Sequence, residues 1–192
     1  MQIVSDVKNR GHIGRTILKL NDFGFSGLQV ESLEATFDEV DYDWKKIRKN
    51  GQLQISKVGA SRAQMTIPAA SLETLLKARL QGVQNPRLAL QDGLIRVSGT
   101  RAAPLVGTQV PFQFTAKPVG KGNEIRLENV QISLGGAPVP AMLANSLIGD
   151  FNPIYVFDRA GAWPFRVTLD HVAAQNGRLQ LGAALVFTPP RP

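Results

Sequence analysis

Residues 88–97 read LALQDGLIRV and predict an antiparallel β-hairpin. The central Asp92-Gly93 dipeptide is one that two-residue hairpin turns favour, because both of its positions need a positive φ. A two-residue loop pairs Leu90 with Ile95. The next pair on the same face is Leu88 with Val97, so turn chemistry and hydrophobic pattern agree on one register. The segment therefore predicts a sheet with one buried face.

Two further strands are predicted to be bent. In Leu28–Phe37 and in Ile125–Leu134, apolar residues alternate with period two, but the alternation changes phase part of the way along. A β-bulge adds one residue to a strand, which shifts this phase and bends the strand. We expect one bulge inside Leu28–Phe37 and another near Glu128-Asn129.

The last hairpin leaves a choice of register. Asn176-Gly177 separates two alternating apolar runs, and a simple two-residue loop would place their apolar residues on opposite faces. A three-residue loop, with Gly177 in the left-handed region, pairs Leu169 with Leu185 on one face. It also pairs Val167 with Phe187, and we therefore expect a G1 bulge at Gly177.

Three segments predict helices. Beyond Pro68, a single apolar stripe is formed by Leu72, Leu75, Leu76 and Leu80. Pro138–Ile148 is apolar on nearly all sides, which is typical of a helix buried inside a curved sheet. A shorter helix is expected between Asp43 as its N-cap and Gly51 as its end. The patterns predict a single β-rich domain over residues 1–192 with two main apolar helices.

Composition excludes several kinds of chemistry. The chain has no Cys and two His, His12 and His171, so disulfides, thiolate metal sites and a Cys nucleophile are excluded. Asp170 precedes His171, but neighbours on a strand point to opposite faces and cannot form a catalytic pair directly. The acidic residues between Asp38 and Asp43 lack the glycine and the distal Glu of a calcium loop. We therefore expect no catalytic residue, metal site or cofactor, and no enzyme activity.

The chain has a net charge of +7 and one dense basic stretch. This stretch follows Trp44 and consists of Lys45, Lys46, Arg48 and Lys49. Six carboxylates precede it between Glu31 and Asp43. That arrangement disfavours nucleic acid as a partner, since phosphate neutralisation dominates such binding. A solvated basic surface is one interpretation. An indole beside cations is also typical of contact with lipid headgroups, so the headgroup or membrane-surface candidates are Trp44, Lys45, Lys46 and Arg48.

An aromatic-rich segment follows the apolar Pro138–Ile148 run. Its large apolar members are Phe151, Ile154, Tyr155, Phe157, Trp163 and Phe165. These residues either pack a solid core or line a groove between the helices and a curled sheet. Ligand pockets are mostly apolar with few polar groups, and both interpretations stay open at this point.

Several short motifs resemble those of one bacterial family. They begin with Ile67-Pro68 and the leucine-rich helix, and include Asp92-Gly93 between its strands and Val110-Pro111-Phe112. The later motifs are Leu134-Gly135-Gly136, Val139-Pro140, Asn152-Pro153-Ile154, Pro164-Phe165-Arg166-Val167 and Gly177-Arg178-Leu179-Gln180-Leu181. Together they resemble the LmeA-like phospholipid-binding family over roughly residues 20–188.

The resemblance implies a non-catalytic lipid-binding protein of the cell envelope or periplasm. It also implies an α+β fold class with a tubular-lipid-binding-like architecture, in which a long bent antiparallel sheet curls around the two main helices. Family members carry an N-terminal leader or anchor, which residues 1–20 do not resemble. The parent protein is therefore expected to be exported, with the leader absent from this chain. We expect it to bind or transport phospholipid, or another acyl-chain lipid, in an apolar groove, with peripheral contact to an anionic membrane.

The groove is expected to be lined by Leu72, Leu75, Leu76, Phe112, Phe114, Met142, Leu143 and Leu147. The alternative is an envelope interaction or scaffold module that has a solid core and no ligand.

Overall fold

The computed structural model describes residues 1–77, 80, 82–102, 108–149, 152–157 and 164–188, without the side chains of residues 145–148. The strands in these ranges are β1 (Gln2–Asn9), β2 (His12–Phe25), β3 (Leu28–Tyr42), β4 (Ile55–Lys57), β5 (Ser61–Pro68), β6 (Val83–Gln91), β7 (Leu94–Ala102), β8 (Gln109–Lys121), β9 (Glu124–Leu134), β10 (Ala137–Pro138), β11 (Tyr155–Val156), β12 (Phe165–Gln175) and β13 (Arg178–Phe187). The helices are α1 (Trp44–Asn50), α2 (Ala69–Lys77) and α3 (Ala141–Ile148).

The strands form two antiparallel sheets. The large sheet has the order β1-β2-β3-β5-β13-β12, with β4 beside β3. The small sheet has the order β10-β9-β8-β7-β6, with β11 beside β9. Because β5 lies between β3 and β13, the N-terminal and C-terminal strands belong to the same large sheet.

The two sheets pack against each other along β12, which contacts β6, β7 and β8. Backbone hydrogen bonds at hairpin turns join them there. They are Leu169 N–H to Gly122 C=O (2.7 Å), Gly93 N–H to Ala174 C=O (2.9 Å) and Gly177 N–H to Leu90 C=O (2.9 Å). Phe114 and Ile125 of the small sheet and Leu179 of the large sheet are almost completely buried in the core between the sheets.

The expected α+β fold class, with a sheet curled around two main helices, is wrong. In the described ranges the protein is mostly antiparallel strand, and the three helices there are short. The apolar segment expected to be helical from Pro138 becomes α3 only at Ala141. The reason is the turn at Gly135-Gly136, which folds Ala137 back to pair with Leu134 at the edge of the small sheet.

The helix α3 is also less buried than its composition predicts. Met142 and Leu143 in its first turn are 83% and 57% exposed, whereas Ala144 is buried. The helix therefore lies on the surface of the protein with one side against β9. No helix in the described ranges is both long and apolar enough to cross a membrane.

The other two helices are confirmed. The side chain of Asp43 accepts hydrogen bonds from the backbone N–H groups of Lys45 and Lys46 at the start of α1, and Gly51 ends this helix with a φ of 70°. In α2, which follows Pro68, the side chain of Leu72 is buried.

The Asp92-Gly93 hairpin is confirmed, with Leu90 paired to Ile95. The bulge in β9 is confirmed too. Between the pairs Thr115–Gln131 and Lys117–Glu128, β9 contains one residue more than β8. In β3 the buried face changes between Val30 and Leu33. The expected bulge there is wrong, since β3 keeps one register with β2 throughout.

The register expected for the C-terminal hairpin is wrong. Gln175 pairs with Arg178 around a two-residue turn, and Leu169 pairs with Ala183. The extra residue lies at Asp170, where the register shifts, and not at the turn. This bulge brings the apolar residues onto one face and leaves His171 exposed.

Gly120 is a position where the close approach of the two sheets excludes a side chain. A Cβ on Gly120 would lie 2.7 Å from the Cβ of Leu169, beside the hydrogen bond that joins the sheets. We expect Gly120→Ala to lower the free energy of unfolding in urea by about 1–3 kcal/mol, as overpacking typically does. Gly24→Ala is the control, because an added Cβ there meets nothing within 4 Å. Equal losses in the two variants would contradict the prediction.

Glu73 connects α2 to the small sheet. Its carboxylate lies 2.7 Å from Lys77 Nζ and accepts a hydrogen bond from the backbone N–H of Leu88 at 3.1 Å. The hydrogen bond from Lys77, followed by that from Leu88, lowers the pKa of Glu73 from its ordinary value of 4.5. Because only the ionised form is stabilised, this contribution is present above pH 4.5 and is lost as the pH falls through the folded-state pKa.

We therefore expect Glu73→Gln to be less stable than the wild type at pH 7, by less than about 1 kcal/mol for a partly exposed ion pair. The difference should shrink as the pH is lowered to 3, measured by urea denaturation across this range. Glu128→Gln, at an exposed carboxylate, should match the wild type at pH 7. A deficit that stays constant with pH would mean that Glu73 does not act through its charge.

Candidate functional site

A cavity of about 130 Å³ lies on the inner face of the large sheet, and its wall consists entirely of apolar side chains. It extends across five strands and is completed by Phe157 from the segment after β11. The lining residues are Leu18, Leu20, Phe23, Phe25, Leu33, Ala35, Ala63, Met65, Phe157, Val167, Leu169, Leu181, Ala183 and Leu185.

Three alanines form the floor of this cavity. Ala63 on β5 pairs with Ala35 on β3 and, on its other side, with Ala183 on β13. Residues that pair directly across strands point to the same face of a sheet. Three methyl groups therefore lie side by side where larger residues would fill the space, and this small row creates the cavity.

Larger residues continue the alanine row on both sides. Ala35 pairs with Leu18 on β2, and Ala183 pairs with Leu169 on β12. The neighbouring inner row is bulkier and consists of Leu20, Leu33, Met65 and Leu181. The cavity is consequently a trough that crosses the strands.

As far as the described residues show, the trough is open on the side of β2. The lining residues from this strand are all partly exposed: Leu18, Leu20, Phe23 and Phe25. Those from β12 and β13 are all buried: Val167, Leu169, Leu181, Ala183 and Leu185. Since the small sheet packs along β12, it covers the inner face most completely on that side, which leaves the mouth near β2.

Aromatic clusters lie at both ends of the trough along the strand direction. At one end the ring centroid of Phe157 lies 6.5 Å from that of Phe25 and 4.9 Å from that of Tyr155. At the other end the ring of Phe165 lies 5.2 Å from Phe37 and 5.5 Å from Phe187. These rings limit the length of the apolar surface along β2 and β3.

The position of Phe157 is fixed by hydrogen bonds to β9. The side chain of Asn152 accepts a hydrogen bond from the Leu127 N–H at 2.9 Å and donates one to the Leu127 carbonyl at 3.1 Å. Further along, the N–H of Phe157 donates to the Asn123 carbonyl at 3.0 Å. The segment is thereby held at both of its ends, with the Phe157 ring in the wall of the cavity.

Tyr155 connects this segment to the large sheet. Its hydroxyl donates to the carbonyl of Ser26, at the turn between β2 and β3, at 3.4 Å. Burial raises the pKa of Tyr155 above its ordinary value. The small sheet therefore contacts the large sheet at this end of the trough as well as along β12.

The residues expected to line a groove lie elsewhere. Leu72, Leu76, Phe112 and Phe114 are buried in the core, and Leu75 packs against it. Met142 and Leu143 are exposed on α3, and the side chain of Leu147 lies outside the described residues. None of the seven whose side chains are described lines the cavity. The sequence signal for the observed cavity is an alanine at an inward position of three alternating strands.

The carboxylates that precede α1 contact basic side chains or cap the helix. The pairs are Glu31–Arg178 (2.7 Å), Glu34–Lys19 (2.8 Å), Asp38–Arg15 (2.7 Å), Glu39–His12 (3.0 Å) and Asp41–His12 (2.6 Å). Asp43 is the N-cap of α1, as expected. Within the part of the chain that the structure describes, no group of three or more His, Asp or Glu side chains is placed to hold a metal ion.

The basic residues of α1 remain outside this pairing. Among the described side chains, no carboxylate lies within 4.0 Å of the charged groups of Lys45, Lys46 or Arg48. Trp44 is 37% exposed, and the guanidinium carbon of Arg10 lies 5.9 Å from its ring centroid. The end of the molecule formed by α1 is thus positively charged and carries an aromatic ring.

A comparison with known protein families agrees with the apolar nature of the cavity. The model of the LmeA-like phospholipid-binding family matches residues 10–184. No curated protein and no solved structure shows significant similarity to the chain.

Proposed function

This chain belongs to the LmeA-like phospholipid-binding family, and we propose that it binds the acyl chains of a phospholipid in the cavity floored by Ala35, Ala63 and Ala183. The observation that carries the proposal is a wall made only of apolar side chains, open on one side. A lipid-binding protein needs such a surface, since its ligand offers mainly methylene groups. A scaffold module with a solid core would not need it.

The size of the cavity fits part of an acyl chain. Its volume of about 130 Å³ is close to that of apolar protein cavities of about 150 Å³, which stay dry and bind small hydrocarbons. Each methylene that leaves water contributes about 0.8 kcal/mol. One segment of the acyl chain would be enclosed, and the remainder of it would lie along the partly exposed Leu18 and Leu20 toward the mouth.

The lipid headgroup stays outside the cavity in this proposal. Transfer of a polar group into surroundings without a hydrogen-bond partner costs several kcal/mol, and a charged phosphate costs more. Because the wall offers no polar side chain, the phosphate must remain in water at the mouth near β2. No residue of the cavity can act as an acid, a base or a nucleophile, so the proposed role is binding or transport without catalysis.

We further propose that α1 contacts the surface of an anionic membrane. Tyr42, at the end of β3, lies seven positions beyond Ala35 in the cavity, which is about 23 Å along a strand. A headgroup at the mouth would therefore not reach Lys45 or Lys46. These cations and Trp44 would instead hold the protein at the membrane from which it takes lipid. A location in the cell envelope belongs to the same proposal and is tested by fractionating cells that express the parent protein.

Filling the cavity should prevent lipid binding. We expect wild-type protein incubated with liposomes to retain phospholipid in stoichiometric amount, measured by solvent extraction and lipid mass spectrometry. Ala63→Trp should retain at least tenfold less, because the indole would occupy the floor of the cavity. Gln64→Trp is the matched control, since the adjacent side chain points to the outer face of the same strand.

The two outcomes that count against this proposal differ. A folded Ala63→Trp variant that retains as much lipid as the wild type would falsify the assignment of lipid to this cavity. Wild-type protein that retains no lipid after incubation would contradict lipid binding itself and favour the scaffold alternative.

Removing cations from α1 should weaken binding to membranes. Each Lys or Arg near an anionic surface contributes about 1 kcal/mol, so the triple variant Lys45→Ala, Lys46→Ala, Arg48→Ala should bind anionic vesicles about 100-fold more weakly in a sedimentation assay. The control variant replaces the exposed Lys117, Lys121 and Arg166 by Ala and loses the same net charge. Equal weakening in both variants would show that only the overall charge matters.

A further inference from the structure

The inner row that floors the cavity continues to the edge of the large sheet. Leu18, which lines the mouth, pairs with Ile3 on the edge strand β1. From β12 to β1 the paired residues are Leu169, Ala183, Ala63, Ala35, Leu18 and Ile3. One uninterrupted apolar row therefore crosses six strands, from the buried side of the sheet to its edge.

The outer end of this row is exposed. Every residue of β1 is exposed, and Ile3, Val4 and Val7 are 55%, 52% and 62% exposed. Edge strands of soluble proteins usually carry charges or prolines that prevent contact with other molecules. The charged residues of β1, Asp6 and Lys8, lie toward its turn with β2. The other end of the strand carries the large apolar Ile3 in line with an apolar cavity, and this end indicates contact with an apolar partner.

The two faces of β1 differ in what lies behind them. Ile3 continues inward through Leu18 to the alanines. On the outer face, the row that starts at Val4 passes through Ile17 and becomes polar at Thr36 and Arg62. Only the inner face offers a continuous apolar path. A lipid would need this path, whereas a partner strand that pairs with the free backbone of β1 would not, so the difference between the faces favours a lipid.

We propose that the β1 edge is the lateral portal through which the acyl chain of a phospholipid passes from a membrane surface into the cavity. This inference rests on the proposed function. The acyl chain would leave the bilayer at Ile3, pass across Leu18 and come to lie over Ala35 and Ala63. The headgroup would travel outside the sheet edge in water, so no polar group would cross the apolar wall.

The length of the row fits this path. Five interstrand spacings separate β1 from β12, which corresponds to about 24 Å. An acyl chain in one leaflet spans about half of the roughly 30 Å hydrocarbon core of a bilayer. The row can therefore hold an extended chain with its end over the alanines while its headgroup lies at the edge.

The experiment compares the rate of uptake with the affinity for a soluble lipid. Vesicles of phosphatidylcholine and phosphatidylglycerol that contain a phospholipid with a fluorescent acyl chain are mixed with wild type, Ile3→Lys and Val4→Lys. We expect uptake by Ile3→Lys to be at least tenfold slower, because a charged side chain interrupts the path. Uptake by Val4→Lys, which adds the same charge on the other face, should stay within twofold of the wild type.

Binding of monomeric dihexanoylphosphatidylcholine is measured for the same three proteins. All three should bind it with affinities within twofold of each other, since the substitutions leave the cavity unchanged and a dissolved lipid does not need to leave a membrane. Slow uptake by Ile3→Lys together with normal affinity for the monomer supports the portal.

Three results would overturn the proposal. Uptake by Ile3→Lys at the wild-type rate with normal monomer binding excludes the portal but leaves lipid binding in place. Equal slowing by both substitutions assigns the effect to charge at the edge, and a wild-type dimer that both substitutions dissociate assigns the edge to a second copy of the chain. If no protein binds the monomer or takes up lipid, the proposed function fails and the portal fails with it.

Discussion

The joining of the two sheets along β12 is the constraint on which the cavity depends. Backbone hydrogen bonds at hairpin turns, such as Leu169 N–H to Gly122 C=O, fix the sheets closely together on this side. Gly120 permits the approach because it has no Cβ to meet Leu169. Sheets twist, so two sheets that are joined on one side diverge toward the other. The inner face of the large sheet is therefore covered near β12 and open near β2, and the exposure of its side chains increases from β12 to β2.

Local chemistry made part of the fold predictable. The Asp92-Gly93 turn, the Asp43 and Gly51 caps of α1 and the bulge in β9 each depend on a few adjacent residues. The fold class was not predictable in the same way. An apolar run such as Pro138–Ile148 does not reveal where a helix begins, because a nearby turn can pair its first residues with a strand. The bulge at Asp170 was not predicted, and a bulge at Gly177 was expected instead. A polar residue on the outer face of a strand does not show in the sequence that the strand has one residue more than its partner.

The candidate site was harder to predict than the fold, and the reason is physical. Large apolar residues such as Leu72 and Phe114 fill space, so they mark the core and not the cavity. A cavity forms where residues are small, and a single alanine in an alternating strand is unremarkable. Ala35, Ala63 and Ala183 come from three distant parts of the chain, and only the pairing of β3, β5 and β13 places them in one row. Single-sequence patterns contain the alternation of each strand but not this pairing.

The alanine row imposes a cost that a bound ligand can offset. Larger side chains at these positions would bury more apolar surface, and each additional buried methylene would contribute about 0.8 kcal/mol to folding. A ligand present at 100 times its Kd stabilises the folded state by about 2.7 kcal/mol. An acyl chain that lies over the alanines would therefore offset the packing that these small residues forgo. Larger residues at Ala35, Ala63 and Ala183 would give a more stable protein without a ligand, but they would leave no place for an acyl chain. The same three methyl groups thus account for both the instability of the empty cavity and its capacity to bind.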